Sequence, residues 1–220
     1  VAGWKKIDEV PFDFERRRVS VLLERAGQRF LAVKGAPEDI LPLCANYESE
    51  SDTLALDKTA HARITALYDR LGEEGFRVLA IAQRSVAADQ AHVLVADEVA
   101  LTFVGFAAFL DPPKASAGTA LAALAADGVA VKIVTGDNER VTRYVCAHIG
   151  VTITGVLTGS QIAAMNDDAL RASVDNVNLF CRANPAQKNR ILMALKARGH
   201  VVGYLGDGVN DAPSLHTADV

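Results

Sequence analysis

Apolar and polar positions follow two different patterns along the chain. From Val1 to about Thr102 the arrangement is mixed, with half-polar strands, a helix, then more strands. RVSVLLE and RFLAVKG predict a hairpin that turns near Ala26-Gly27. Ile64, Leu67 and Leu71 recur at helical spacing and predict a helix closed by Gly72 to Gly75, with a strand over FRVLAIAQ after it.

From Phe103 onward short apolar runs alternate with amphipathic helices, the pattern of a parallel sheet with crossover connections. FVGFAAFL, VAVKIV, NLFC and HVVGYL are the predicted strands. Helices are expected over AGTALAALAADG with a stop at Gly128, from about Glu139 to Ile149 with a stop at Gly150, and from Pro185 to Gly199. Asn184 before Pro185 supplies a capping side chain followed by a proline at the first helical position. Ligands of such sheets bind beyond the carboxyl ends of the strands. Three of those ends carry polar loops: TGDN, the segment Arg182 to Lys188, and GDGVND.

Composition narrows the classes. Half of the 220 residues are apolar, enough for one large or two small cores. With 23 Lys and Arg against 27 Asp and Glu, the net charge of −4 gives no reason to expect a nucleic-acid partner. Cys44, Cys146 and Cys181 lie in no ligand spacing, which predicts reduced thiols in a cytosolic compartment. The histidines pair at no metal-ligand spacing. The most apolar run, Val99 to Leu110, is about half of the ~20 residues a membrane helix needs and reads as a buried strand. A chain without an initiator Met that stops at ADV reads as an excised fragment.

The chemistry concentrates in the strand-end loops. In GDGVND, Asp207 and Asp211 can share a small hard cation across a Gly-rich turn, and Mg²⁺ usually takes one or two carboxylates plus a phosphate oxygen. Thr135, Gly136 and a helix N-terminus in TGDN offer a hydroxyl and a backbone N–H to phosphate oxygens. Lys188, one turn into its helix, can neutralise a transferring phosphoryl group.

A Thr-Gly-Asp loop, a helix lysine and Gly-Asp-Gly-x-Asn-Asp in this order resemble the phosphoryl-transfer site of the haloacid dehalogenase superfamily. GDGVNDAP, with DPPK at Asp111 to Lys114, is similar to the phosphorylation domain of P-type ATPases. KGAPE, Lys34 to Glu38, and PFDFERRRVSV resemble their nucleotide-binding domain. The wording of PFDFERRR, FLDPPK and HVVGYLGDGVNDAPSL is most similar to bacterial magnesium-transporting members, with calcium pumps the close competitor.

The resemblance implies an α/β fold in two parts. One is a partial α+β antiparallel nucleotide-binding domain over 1–102; the other, over 103–220, is a Rossmann-like parallel sheet of the haloacid dehalogenase type. It also implies roles. Phe12 would stack on adenine, Lys34 and Gly35 would line the pocket, and Arg17 and Arg77 would approach the phosphates of ATP. Thr135, Gly136 and Lys188 would stabilise phosphoryl oxygens, Asp207 and Asp211 would hold Mg²⁺, Asn210 would touch the phosphoryl group or order its loop, and Asp137 would lie at the hinge edge. Partners would be ATP, the remainder of the phosphorylation domain, an actuator domain and membrane helices, at the cytoplasmic face of the plasma membrane. A soluble phosphatase of the superfamily and a pure ATP-binding module are the rival readings.

Asp57 in LDKTAH mimics the Asp-Lys-Thr that carries the family's phosphorylated aspartate. Its context differs: Ala60 replaces the following Gly, the preceding SESDTLAL is polar, and the motif comes after KGAPE instead of before it. Asp57 is therefore expected to cap a helix. The nucleophile, with its central strand, is expected to lie outside the sequence, leaving the fragment inactive alone. An exposed sheet edge, open to a partner strand or a non-native dimer, should result.

Overall fold

The computed structural model describes residues 3–50, 52–206 and 211–220. They form two compact units, Val1–Gly72 with Phe76–Leu110, and Asp111–Val220 with the short Glu73–Gly75 segment.

The first unit is built on a seven-stranded sheet with the order β1-β2-β3-β6-β7-β4-β5. Its strands are β1 (Lys5–Asp13), β2 (Arg18–Arg25), β3 (Gln28–Gly35), β4 (Cys44–Ser49), β5 (Asp52–Ala55), β6 (Phe76–Val86) and β7 (Leu101–Leu110), with helices α1 (Pro37–Ile40) and α2 (Lys58–Glu73). Every pairing is antiparallel except β4 with β7. The β2–β3 hairpin turns at Ala26 and Gly27, with φ of 51° and 76°. Two consecutive positive φ values match the right-handed twist of the flanking strands.

One sheet face packs Leu22, Leu31, Val33, Ala80, Ala82 and Leu101 against Ile40 and Ile64 of the helices. In α2 the buried face is Ala60, Ile64 and Tyr68, with Leu67 exposed, so the inward stripe lies one position round from the expected one. Tyr68 sets it, because its ring is covered while its hydroxyl donates to Glu38 at 2.7 Å. Asp57 caps this helix, accepting from the Ala60 N–H at 2.7 Å.

FVGFAAFL differs from its expected place. It forms β7 and pairs antiparallel with β6, from Phe76 opposite Leu110 to Gln83 opposite Thr102. The run from Val99 to Leu110 is not the buried strand expected, since Val99, Val104, Phe109 and Leu110 are exposed. Its apolar pattern alone does not tell parallel from antiparallel pairing, and here the long neighbour β6 decides.

The second unit holds a parallel sheet of order β8-β10-β9, from β8 (Ile133–Val134), β9 (Val156–Thr158) and β10 (Leu179–Cys181). Around it run α3 (Ala117–Ala126), α4 (Glu139–His148), α5 (Gly159–Ala164), α6 (Asp167–Ser173), α7 (Pro185–Ala197) and α8 (Ala212–Thr217). All three residues of β10 are fully buried, and Phe180 packs with Leu157, Ile162, Leu170 and Ile191. The Lys132 ammonium donates to the carbonyls of Val174 and Val177, at 2.5 and 2.7 Å, closing the end of α6.

HVVGYL does not form the expected strand. Among the described residues, Val202 and Tyr204 exchange backbone hydrogen bonds only with Asp219 and Val220, and Val201 and Leu205 stand exposed. Apolar alternation makes a strand only where a neighbouring ladder receives it.

Candidate functional site

Beyond the ends of β8 and β10, two loops are fastened to each other. The Ala183 N–H donates to the Thr135 carbonyl at 3.0 Å, and the Arg182 N–H donates to the Asp137 carbonyl at 2.9 Å. Helix α7 therefore starts beside the TGDN loop. Its start is the predicted one: Asn184 and Gln187 cap each other's backbone N–H at 2.8 and 2.9 Å, with Pro185 in the first turn. Asn138 caps α4 through the Val141 N–H at 2.9 Å.

This arrangement brings Thr135, Lys188 and Asp211 to one cleft of about 330 Å³, lined also by Val134, Tyr204, Leu205 and Gly206. Lys188 Nζ lies 2.8 Å from Asp211 Oδ1, and the Tyr204 hydroxyl donates to the same oxygen at 2.9 Å. Gly136 is exposed on the loop. The Thr135 hydroxyl accepts from the Asp137 N–H at 3.1 Å, which turns the loop back on itself. Asp207 and Asn210 lie outside the described residues. Among the described residues no group of three or more His, Cys, Asp or Glu is placed to hold a metal.

At one end of the first sheet stand the other candidates. Lys34 opposes Ile81 across β3 and β6, and Arg77 is an even number of residues from Ile81 on β6, so both belong to the face away from the core. Both are exposed. Phe12, near the end of β1, is 54% exposed and meets Phe14 edge-on at 5.2 Å. Gly35 is buried, and a Cβ there would sit 2.5 Å from the Arg17 carbonyl oxygen. Arg17, with φ of 50°, pairs its Nε with Asp39 at 2.8 Å, so any approach to a phosphate must exchange that ion pair.

The ERRR stretch is not the solvated face its charge suggests. Arg16 and Arg18 close on Glu98, which is 1% exposed. Oε1 accepts from Arg16 at 2.8 Å and from the Ser20 hydroxyl at 2.5 Å, and Oε2 accepts from Arg18 at 2.6 Å. Burial alone would raise the Glu98 pKa, yet the hydroxyl and the two guanidiniums hold it below the ordinary value. A signal was present: Arg18, Ser20 and Leu22 share one side of β2, and Leu22 is core. Cations on a core side require a carboxylate partner. The thiols, by contrast, are inert packing groups, with burial pushing Cys44 up to about 12 and Cys181 to about 11.

Comparison with known proteins adds a family. A family model described as P-type ATPase, cytoplasmic domain N, matches residues 1–116. The chain belongs to the P-type ATPase family. Among its P-type ATPase relatives, a protein named magnesium-transporting ATPase, P-type 1, of Salmonella typhimurium is 47% identical over 223 residues, covering 100% of this chain. The Escherichia coli K12 protein of the same name is 43% identical over 99% of the chain. A probable cation-transporting ATPase F of Mycobacterium tuberculosis H37Rv is 35% identical over 98%. The chain spans about a quarter of each relative's length, respectively 25%, 24% and 24%. Among the described residues no helix is long and apolar enough to cross a membrane.

Proposed function

We propose that this chain is the ATP-handling cytoplasmic part of a P-type pump that couples ATP hydrolysis, through an aspartyl phosphate, to cation transport across a membrane. The observation that carries the reading is the convergence of Thr135, Lys188 and Asp211 on one cleft at the ends of parallel strands. Residues 1–102 are assigned to the nucleotide-binding domain and 103–220 to a phosphorylation domain of the haloacid dehalogenase type, with β7 running across that boundary. Mg²⁺ is the proposed cargo, because the relatives of 43–47% identity carry magnesium in their names.

In this reading ATP lies on the outer face of the first sheet. Phe12 stacks on adenine, Lys34 and Gly35 line the pocket, and Arg77, with Arg17 once released from Asp39, approaches the phosphates. The γ-phosphoryl group then reaches the second unit, where the Lys188 ammonium, the Thr135 hydroxyl and the Gly136 N–H meet its oxygens. Asn210 contacts it or orders its loop, and Asp137 stands at the nearby hinge edge.

A single described carboxylate, Asp211, faces the cleft, and its chemistry fits Mg²⁺ as a cofactor together with Asp207 and a phosphate oxygen. Such an ion supplies charge neutralisation on the transferring oxygens. Asp111-Pro112-Pro113 is the proposed hinge strand through which the units close on one another.

The attacking aspartate is assigned to a strand outside these 220 residues. Asp57 is engaged as a helix cap. Val201, Leu205, Val129 and Leu124 of the second unit are exposed, which supplies apolar surface for such a strand to cover. An actuator domain and membrane helices, with the pump at the cytoplasmic face of the plasma membrane, complete the proposal.

ATP titration tests it: affinity should drop in Phe12→Ala and Lys34→Ala. Hydrolysis of small phosphate esters by this chain would refute the external nucleophile and favour a soluble phosphatase.

A further inference from the structure

We propose that Glu98 is a positioning residue for the nucleotide site, acting through Arg16 to fix the β1–β2 turn that carries Phe12 and Arg17; the inference rests on the nucleotide reading of that sheet end. Glu98 lies far along the chain, just before β7, and its carboxylate is bonded to Arg16, Arg18 and Ser20.

Arg16 links them. One arm of its guanidinium donates to Glu98 Oε1 at 2.8 Å, and the other donates to the Pro11 carbonyl at 2.8 Å. That carbonyl belongs to the peptide entering Phe12. The β1–β2 ladder skips this place, running from Val10 opposite Ser20 directly to Asp13 opposite Arg18. Arg16 thus holds a stretch of backbone that the sheet does not. A guanidinium is a rigid planar fork, so fixing one edge on a buried carboxylate fixes where the other edge points.

The rest of the turn is fastened to the same point. Asp13 Oδ1 accepts from the Glu15 and Arg16 N–H groups at 2.9 and 2.8 Å, and the Arg17 N–H donates to the Asp13 carbonyl at 2.7 Å. The Arg17 carbonyl in turn accepts from Ala36, directly after Lys34 and Gly35, at 3.0 Å. Glu98 therefore anchors a relay that reaches Phe12, Arg17 and the KGA segment. A lock needed only for stability would be complete with Arg18 and Ser20; the second arm of Arg16 is what extends it to Phe12.

The test uses the full 220-residue chain with ATP as the probe, reading affinity, thermal transition and amide hydrogen exchange. Lys34→Ala serves as the reference for the nucleotide site. Glu98→Gln and Arg16→Gln should each weaken ATP binding about tenfold. Exchange should quicken at residues 11–17, and the double variant should lose little more than either single one. A folded Glu98→Gln chain with wild-type ATP affinity overturns the inference, as do fully additive losses or weakened binding with unchanged exchange at 11–17. Should Glu98→Gln fail to fold, Arg16→Gln decides, because it removes the arm to Pro11 and leaves Glu98 with Arg18 and Ser20. A wild-type chain that does not bind ATP brings down the nucleotide reading and the inference with it. Loss in Lys34→Ala alone brings down only the inference.

Discussion

Lys188 and Asp211 form an ion pair at 2.8 Å with side chains only 15% and 10% exposed. Removing one partner of such a pair leaves the other desolvated and costs about 3 kcal/mol or more. Lys188→Met is therefore expected to lower the stability of the second unit by about that amount in chemical denaturation. Adding Asp211→Asn should return part of the loss, since the stranded carboxylate is then neutral.

Tyr204 acts on the same oxygen without carrying charge. Tyr204→Phe keeps the ring and removes one hydrogen bond, an effect of about 1–2 kcal/mol on stability. In the full-length ATPase it should raise the Mg²⁺ concentration needed for half-maximal phosphorylation. An unchanged Mg²⁺ dependence would leave the tyrosine a purely structural role.

Gly35 tolerates no side chain. An added Cβ would meet the Arg17 carbonyl oxygen and the Arg18 Cβ at 2.5 Å, both close to the backbone. Gly35→Ala should destabilise the first unit by about 2–3 kcal/mol in urea denaturation, and should weaken ATP binding by moving the turn.

Asp57 separates a cap from a nucleophile. Asp57→Ala should cost about 1 kcal/mol, whereas Asp57→Asn should be close to neutral because asparagine caps equally well. Phosphorylation of the full-length ATPase should survive both. Its loss in Asp57→Asn would contradict the cap assignment.

The depressed pKa of Glu98 fixes the sign of an acid effect. Below the ordinary value of 4.5 the unfolded chain binds the proton more readily than the folded one. The stabilisation is thus fully present above 4.5 and lost as pH falls through the lower folded value. Denaturation across pH 3 to 7 should show a constant gap between the wild-type chain and Glu98→Gln above about pH 5, narrowing below it.

Local chemistry was legible in the sequence wherever a residue acts within its own turn. Asp57, Asn138 and Asn184 cap the helices they precede, and Ala26-Gly27 makes the hairpin turn. Thr135, Lys188 and Asp211 could be expected to meet because each follows an apolar run at one edge of a parallel sheet. What resisted reading depends on partners remote in the chain. HVVGYL has the pattern of a strand but finds no ladder, and FVGFAAFL takes its direction from β6. Nothing local to Arg16 or Arg18 names Glu98 as the residue they hold.

β7 lies between β6 and β4 and runs straight on to Asp111. A pull on the chain beyond Leu110, directed along that strand, loads the hydrogen bonds to both neighbours in shear, all at once. Edge strands such as β5 can be peeled bond by bond, but β7 cannot. Force along the chain at Asp111 thus enters the first unit through an interior strand held on both sides.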